Sequence, residues 1–255
     1  MLKKEIIIKN FDEENVKDAI KIYEKYKLAY EKGITTFVNG FYAPSIWDFF
    51  LKNSNNNIKV GVNGFFDEAE RRMISFNNYA EEEYPINVLK IINKSNFSNL
   101  KHKDYLGSVL SLGIERNKIG DIMVRGNSAY LPVVNEIAEY IIDNLSFIGK
   151  SPVSISEIND VTKVPSPEFE EILIAIPSLR LDSVVSKLAN ISRSKSIELI
   201  DSGKVLIDYT KSRDKSKEVL EGSRVTIRGL GKFIIGQVVG ETKSGKEKIV
   251  VKKYV

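Results

Sequence analysis

Apolar and polar residues alternate along the first 80 or so positions in a way that predicts a small mixed α/β unit. Apolar side chains recur at helical spacing after Asp12, a suitable N-cap, and this helix is predicted to stop at Gly33. A second short helix is predicted to open after Pro44. The stretch "NIKVGVNGFF" predicts a strand followed by a glycine turn, and "DEAERRMISF" predicts a short helix or an irregular segment.

The middle of the chain has a more regular order of elements. "PINVLKIINK" predicts a strand, "HKDYLGSVLSLGI" a helix, and "GDIMVRG" and "SAYLPVV" two strands joined at Gly126-Asn127. A helix capped by Asn135 and closed by Gly149 follows, and "SPVSISEI" is a final strand. The order β-α-β-β-α-β predicts a ferredoxin-like middle domain.

The last part of the chain combines two short helices with several strands. "DSVVSKLAN" and "SRSKSIELIDSG" are the helices, and "KVLIDY" and "RVTIRG" are strands separated by a polar loop. "KFIIGQVVGE" and "EKIVVKKYV" predict a hairpin, and "EFEEILIAIPS" predicts a strand leading into this region. The predicted fold class is therefore multidomain α+β, with an N-terminal α/β unit at 1–82, a ferredoxin-like domain at 83–177 and an αα-β domain with a hairpin at 178–255.

Composition narrows the classes of protein. The chain has 255 residues and no cysteine, which excludes disulfides and thiolate metal sites. No segment is long and apolar enough for a membrane span or a signal-peptide core, so we expect a cytoplasmic protein. Positions 178–255 hold 17 basic and 9 acidic residues, a net charge of +8, whereas the whole chain has only +4. Such a basic module on an acidic body is typical of polyanion binding.

Basic residues lie at the ends of the predicted elements in "RLDSVVSKLANISRSKSIELIDSGKVLIDY". Ser192 is a suitable N-cap for the second helix, whose N-terminus can receive a phosphate, and Arg193 and Lys195 add full charges there. We expect this helix end, Arg180 and Lys204 at the next strand to converge on one groove. The hypothesis requires that these cations face one side and that no acidic side chain neutralises them.

The same stretch closely resembles the RNA-binding domain first seen in ribosomal protein S-four. The resemblance rests on Arg-Leu-Asp at 180–182, Ser-Arg at 192–193 and Gly-Lys-Val at 203–205. It implies that the two helices and the following strand grip structured RNA. The sequence departs from that family at Asp208-Tyr209, where Asn-Gly is frequent, and at Gly222-Ser223, where Gly-Asp is usual. Both departures bear on the hairpin rather than on the helices.

Upstream segments extend the resemblance over most of the chain. "VGVNGFFDEAERRMISF" and "LKHKDYLGSVLSLGIERNKIGDIMV" resemble the YlmH-like family of cytoplasmic bacterial proteins that end in this RNA-binding domain. The resemblance implies ribosome-associated binding of rRNA and tRNA at the large subunit, and a part in rescuing stalled translation. The predicted RNA-binding residues are Arg180, Lys187, Ser192, Arg193, Lys195, Lys204, Lys211, Arg213 and Lys215. Secondary candidates are Arg71, Arg72, Lys101 and Lys103.

Catalytic chemistry has little support in the sequence. His102 is the single histidine, which excludes a histidine metal cluster and leaves capping or packing of its helix as the better interpretation. The charges of Asp67, Glu68 and Glu70 beside two arginines are typical of a solvated face. Asp121 is either a carboxylate with a catalytic role or a cap for its turn. No nucleotide motif is present, so we expect no metal, no small-molecule cofactor and no enzymatic activity.

Two other classes of function compete with RNA binding alone. Pseudouridine synthases carry the same module, but their catalytic Arg-Leu-Asp lies in a large domain after it, whereas Arg180-Leu181-Asp182 begins the module here. A tyrosyl-tRNA synthetase is disfavoured because "SRSKS" has no matching His-Ile-Gly-His segment. A cell-division or protein-interaction adaptor, with the middle sheet as the docking surface, stays open.

Overall fold

The computed structural model describes residues 2–54, 57–66, 69–158, 160, 164–165 and 169–254. Its contacts divide the chain into two compact units, Met1–Ser166 and Pro167–Val255. Both units combine helices with antiparallel sheets, which confirms the predicted α+β class. None of the helices within these ranges is long and apolar enough to cross a membrane. The predicted division into three domains at 82/83 and 177/178 stays a prediction.

The first part of the N-terminal unit packs three helices on a three-stranded sheet. Its elements are α1 (Lys4–Asn10), α2 (Glu13–Lys32), β1 (Thr36–Phe37), α3 (Pro44–Asn53), β2 (Val60–Asn63) and β3 (Met73–Phe76). The side chain of Asp12 accepts a hydrogen bond from the Asn15 amide at 3.0 Å, and Gly33 ends α2 with a φ of 66°. The predicted caps of α2 are therefore confirmed.

Two elements of this part differ from the sequence prediction. The segment predicted as a helix or irregular ends in β3, the central strand of the sheet, whose four side chains are all buried. A short, continuous apolar run has no period that distinguishes a buried strand from a helix. Helix α1 was not predicted, because its apolar residues are consecutive rather than spaced, and only Ile7 among them is buried.

The second part of the N-terminal unit is a five-stranded sheet with helices on one face. It comprises β4 (Ile86–Asn93), α4 (His102–Leu110), β5 (Met123–Arg125), β6 (Ser128–Val134), α5 (Ala138–Asn144), β7 (Phe147–Ile148) and β8 (Ser151–Glu157), in the sheet order β5-β6-β4-β8-β7. Leu89 and Ile91 of β4 share a core with Tyr105 and Val109 of α4 and Ile141 of α5. The predicted element order is present with one added strand; the ferredoxin-like assignment stays a prediction.

The predicted helix from Asn135 to Gly149 is shorter than expected. Asn135–Ile137 forms a 3-10 turn, and α5 ends at Asn144. Gly149 instead lies in the tight turn between β7 and β8, with a φ of 58°. The apolar residues Phe147 and Ile148 belong to this small hairpin, so their apparent continuation of the helical pattern was misleading.

The C-terminal unit is a six-stranded antiparallel sheet covered on one face by two helices. Its elements are β9 (Phe169–Ile176), α6 (Leu181–Leu188), α7 (Arg193–Asp201), β10 (Val205–Ile207), β11 (Thr210–Lys211), β12 (Arg224–Ile227), β13 (Gly231–Glu241) and β14 (Glu247–Tyr254), in the sheet order β11-β10-β12-β13-β14-β9. Val205 and Ile207 point into the core with Val184, Val185 and Ile200 of the helices. Residues at alternate strand positions, Leu206 among them, therefore lie on the outer face of the sheet.

The hairpin between β10 and β11 keeps a tight turn although the sequence departs from the family there. Asp208 and Tyr209 have φ values of 46° and 68°, the positive values that a type I′ turn requires. The Asp208 carboxylate accepts a hydrogen bond from the Arg224 amide at 2.8 Å, and the Arg224 guanidinium lies 5.5 Å from the centre of the Tyr209 ring. Contacts with β12 thus hold a conformation that Asn-Gly would adopt more easily.

Two glycines give opposite expectations for stability. A Cβ at Gly236 in β13 would lie 2.6 Å from the Val250 carbonyl oxygen, whereas a Cβ at Gly107 in α4 would meet nothing within 4 Å. We expect Gly236→Ala to destabilise its unit by about 2 kcal/mol through backbone crowding. Gly107→Ala should stabilise its unit by about 0.5–1 kcal/mol. Native-state hydrogen exchange measures the free energy of unfolding of each unit separately. Equal changes in this free energy for Gly236→Ala and Gly107→Ala would contradict the packing described.

Candidate nucleic-acid interface

Two of the predicted cations, Arg180 and Arg193, meet at the carboxylate of Asp182. Arg180 donates through Nε to Oδ1 at 3.3 Å and through Nη2 to Oδ2 at 3.2 Å. Arg193 donates through Nε and Nη2 to Oδ2 at 3.1 and 2.8 Å. The Asp182 side chain is 2% exposed, whereas the arginine side chains are 43% and 57% exposed. The carboxylate therefore lies beneath two guanidinium groups that face solvent.

The local sequence explains how these groups come together. Arg180 is the N-cap residue of α6, and Arg193 is the first residue of α7. The Ser192 hydroxyl accepts a hydrogen bond from the Lys195 amide at 3.3 Å, which confirms the predicted cap. The Ser196 hydroxyl donates to the Asp182 carbonyl oxygen at 2.9 Å. The N-terminal turns of the two helices are thus joined by both backbone and side-chain contacts.

The electrostatics of the three side chains favour the ionised state of Asp182. Burial acts to raise its pKa, but the hydrogen bonds from Arg180 and Arg193 and their positive charges outweigh this effect and lower the pKa below its ordinary value. The hydrogen bond to Asp182 in turn raises the pKa of Arg180. With one carboxylate and two guanidinium groups, the cluster has a net charge of +1.

The structure corrects the prediction of a single groove free of acidic partners. Asp182 neutralises one of the two arginine charges, although it does so from the protein side. Helix α7 rises about 12 Å from Arg193 to Asp201 at 1.5 Å per residue, and Lys204 follows beyond this far end. Lys195 and Lys187 are exposed, the latter in the last turn of α6. Helix α7 therefore separates the predicted cations into two groups.

The loop after β11 runs between these two groups. It starts where the Ser212 amide donates to the Val205 carbonyl at 3.3 Å, and the Lys211 Cδ atom lies 3.7 Å from a Cβ built on Gly203. It returns to α6, where the Leu181 amide donates to the Lys217 carbonyl at 2.9 Å. The exposed cations Arg213, Lys215 and Lys217 of this loop, and Lys211 at the end of β11, are thereby held along the path between the ends of α7.

Two acidic residues near this loop, Asp214 and Asp201, have partners within the protein. Asp214 accepts hydrogen bonds from the hydroxyl and amide of Ser216, at 2.6 and 2.9 Å, and these bonds lower its pKa. The Asp201 carboxylate lies 3.8 Å from the Lys215 ammonium group, and both side chains are about half exposed. An exposed pair of this kind is weak and can exchange partners with an incoming anion.

The secondary arginine candidates make internal contacts. The half-buried Arg71 donates to the Phe41 carbonyl at 2.7 Å, and burial lowers its pKa. The Arg72 guanidinium lies 5.2 Å from the Trp47 ring centre and donates to the Ala69 carbonyl at 2.9 Å. These internal contacts give both residues a structural role in the N-terminal unit, and this role does not depend on RNA.

The other candidates of the N-terminal unit differ in exposure. Lys101 and Lys103 are exposed, and His102 between them is the first residue of α4. Asp121 accepts hydrogen bonds from the backbone amides of Glu70 and Arg71, the latter at 3.1 Å, so it caps a distant loop rather than its own turn. Asp67 and Glu68 lie outside the described residues. The described ranges contain no group of three or more His, Cys, Asp or Glu side chains suited to a metal ion.

Sequence reasoning missed two parts of this surface. Asp182 was recognised only as part of the Arg-Leu-Asp motif, and its contact with Arg193 depends on how α6 and α7 pack. Arg228 and Lys232 were not singled out, although both are exposed beside the outer face of the sheet. Inward and outward residues alternate along β12 and β13, and applying this alternation to each residue of the two strands would have placed both cations outward.

Family models match the two regions that carry the fold just described. Residues 80–162 match a model described as "Putative RNA-binding domain in YlmH", and residues 179–225 match the S4 domain. The chain thus contains regions that match both domain models, and the predicted resemblance is confirmed. The S4 match contains α6, α7 and the arginine pair.

Two individual proteins are similar to this chain. The chain is 28% identical over 201 residues to "Ribosome-associated protein quality control protein P2" of Bacillus subtilis (strain 168), a match that covers 77% of this chain and 78% of that protein. A solved structure, "Cell division protein ylmH from Streptococcus pneumoniae", matches with a TM-score of 0.49 and 24% identity. That match covers 61% of this chain and 97% of the solved one.

The buried carboxylate leads to a prediction about stability and pH. Because the pKa of Asp182 is lowered on folding, its ionised form stabilises the C-terminal unit above the ordinary carboxyl pKa, and this contribution is lost as pH falls through the folded value. We expect Asp182→Asn to lower the free energy of unfolding at neutral pH by about 1–2 kcal/mol, because the hydrogen bonds from both arginines lose their acceptor charge. The acid-side dependence of stability should become shallower.

Asp201→Asn is the matched control for this change. It also removes one carboxylate from the same unit, but from an exposed pair, so we expect a loss below about 0.5 kcal/mol. Urea denaturation at several pH values from neutral to acidic, together with hydrogen exchange of the α6 amides, measures the free energy of unfolding of both variants. Equal losses for Asp182→Asn and Asp201→Asn would show that the arginine pair does not stabilise the fold.

Proposed function

We propose that this chain is a non-enzymatic RNA-binding protein of the translation apparatus. Its C-terminal unit grips structured rRNA or tRNA through the arginine pair and the cations at the other end of α7. The observation that carries this proposal is the exposure of Arg180 and Arg193 above a buried carboxylate. Two guanidinium groups fixed in this way present fork-shaped donors to phosphate with little loss of side-chain entropy on binding.

The charge of the domain supports the same function. Residues 178–255 have a net charge of +8, and the arginine pair keeps a net positive charge after pairing with Asp182. Arg193 begins α7, and the positive end of this helix dipole adds a favourable site for a phosphate. Contacts of this kind supply affinity for the backbone and little preference for sequence, so the shape of the RNA would select the target.

The ribosome is the proposed location of that RNA. The similarity to a ribosome-associated quality control protein over about three quarters of both chains supports this location. We propose that the chain binds at the large subunit, in contact with rRNA and tRNA, and acts when translation has stalled. Sedimentation of the protein with large subunits, and its release by raised salt, would support this location. A protein that sediments only in the free fraction, without ribosomal particles, would contradict it.

The RNA-binding role predicts the effect of two substitutions at separate ends of α7. We expect Arg193→Ala and Lys204→Ala each to weaken binding to deproteinised large-subunit rRNA by about 1 kcal/mol or more, roughly fivefold, because each removes a phosphate contact. The dependence of affinity on salt should also become shallower by about one unit of slope per residue. Fluorescence anisotropy at several salt concentrations measures both quantities.

A third substitution is the control for general charge. Lys243→Ala changes an exposed lysine in the loop between β13 and β14, away from both ends of α7, and we expect it to change affinity by less than about twofold. Circular dichroism establishes that each variant is folded, which matters for Arg193 because its loss leaves Asp182 with one partner. Unchanged affinity in a folded Arg193→Ala, Lys204→Ala double variant would remove the proposed surface.

RNA modification and protein docking make different predictions. An RNA-modifying enzyme would leave altered nucleosides in rRNA incubated with the protein, and mass spectrometry of the digested RNA detects them. A protein adaptor would retain its partner after nuclease treatment. We expect neither result: the nucleosides stay unmodified, and association with ribosomal particles is lost when the RNA is digested.

A further inference from the structure

We propose that RNA contacts a second surface of the C-terminal unit, the outer face of its sheet, and reaches it around the edge strand β11. This inference rests on the proposed RNA binding and extends it to residues outside the helical surface. It names Lys211, Arg228 and Lys232 as members of that second surface. The loop of residues 212–218 connects it with the arginine pair.

The strand registers place cations on the outer face. Leu206 points away from the core because its neighbours Val205 and Ile207 are buried. Lys211 of β11 lies directly opposite Leu206, and Thr226 of β12 lies opposite it on the other side. Lys232 of β13 in turn pairs with Thr226. Directly opposed residues share one face of a sheet, so Lys211 and Lys232 end a single row about 14 Å long, at 4.8 Å per strand.

A second pair of cations flanks this row. The Arg228 amide donates to the Lys204 carbonyl at 2.9 Å. These two exposed residues, one just before β10 and one just after β12, therefore lie next to each other and beside the row. Lys204, which follows the C-terminal end of α7 whereas Arg193 begins the helix, is therefore a neighbour of the outer-face cations. The division of the predicted cations into two groups is explained if each group contacts a different segment of the same RNA.

The loop makes a continuous path between the two surfaces. It leaves β11 at the edge of the sheet, and its far end is fixed to α6 by hydrogen bonds from the Leu181 and Asp182 amides to the Lys217 and Lys215 carbonyls, at 2.9 and 3.1 Å. It carries the exposed cations Arg213, Lys215 and Lys217 against Glu218 and Asp214, whose carboxylate is bound by Ser216, so its net charge is +1. An RNA strand carries a phosphate at each nucleotide, so it can follow such a path by electrostatic attraction.

Neutralising the outer face tests the inference. The variant Lys211→Gln with Arg228→Gln removes two charges there, and the control Lys243→Gln with Lys246→Gln removes two charges from the loop between β13 and β14. Deproteinised large-subunit rRNA fragments are the probe, with binding measured by anisotropy over a fourfold range of salt. We expect a 1:1 complex whose logarithmic salt slope becomes less negative by about 1.5 in the first variant, with weaker binding at low salt. The control should behave like the original protein.

The possible results separate this inference from the proposed function. If the first variant binds like its control while Arg193→Ala still weakens binding, the outer face is not an RNA surface, although the helical surface stands. If two RNA molecules bind independently, the continuous path is wrong. If the original protein binds no RNA, the proposed function fails and the inference fails with it. Because all four residues are exposed, circular dichroism should show unchanged folding in both double variants.

Discussion

The buried carboxylate of Asp182 is the interaction on which the proposed surface depends. An ionised carboxylate loses hydration when it is buried, and it stays ionised only if hydrogen bonds and opposite charges replace the water. Arg180 and Arg193 provide both, at distances of 2.8 to 3.3 Å. Because one arginine precedes α6 and the other begins α7, this requirement also fixes the two helix N-termini relative to each other. The orientation of the cations is thus a consequence of folding, made before any RNA arrives.

The layered architecture determines where the remaining cations lie. Helices α6 and α7 cover one face of the sheet, so in β10, β12 and the start of β13 the residues that alternate with the core positions lie on the other face. The lysines and arginines of β11, β13 and the end of β12 occupy such positions. The connection after β11 must then pass around the sheet edge to cover the start of α6, and it carries its own cations along that route. One sheet therefore separates two positive surfaces, and one loop joins them.

Local signals in the sequence predicted much of the fold. Asp12, Gly33 and Ser192 are capping residues whose effect depends on their immediate neighbours, and all three lie where the caps were predicted. The inward alternation of Val205 and Ile207 is likewise a local property of a strand. Strand β3 could not be recognised in this way, because four consecutive buried residues have no period, and its central place depends on the strands beside it.

The candidate site was less predictable for the same physical reason. The S-four-type motif identified Arg180 and Arg193, but their shared partner Asp182 depends on how α6 packs against α7, which brings Asp182 to Arg193 eleven positions later in the sequence. The separation of Arg193 and Lys204 by α7 follows from the length of that helix, which the sequence pattern predicts. The path of the loop back to α6 depends on backbone hydrogen bonds, which no sequence pattern indicates.

Ultraviolet crosslinking in living cells, with mass spectrometry of the peptides and sequencing of the attached RNA, tests the central claim most directly. Our account predicts crosslinked ribosomal RNA or tRNA on peptides that contain Arg180, Arg193 and the loop of residues 212–218. Crosslinks confined to residues before 169, or a C-terminal unit that recovers no RNA above background, would contradict it.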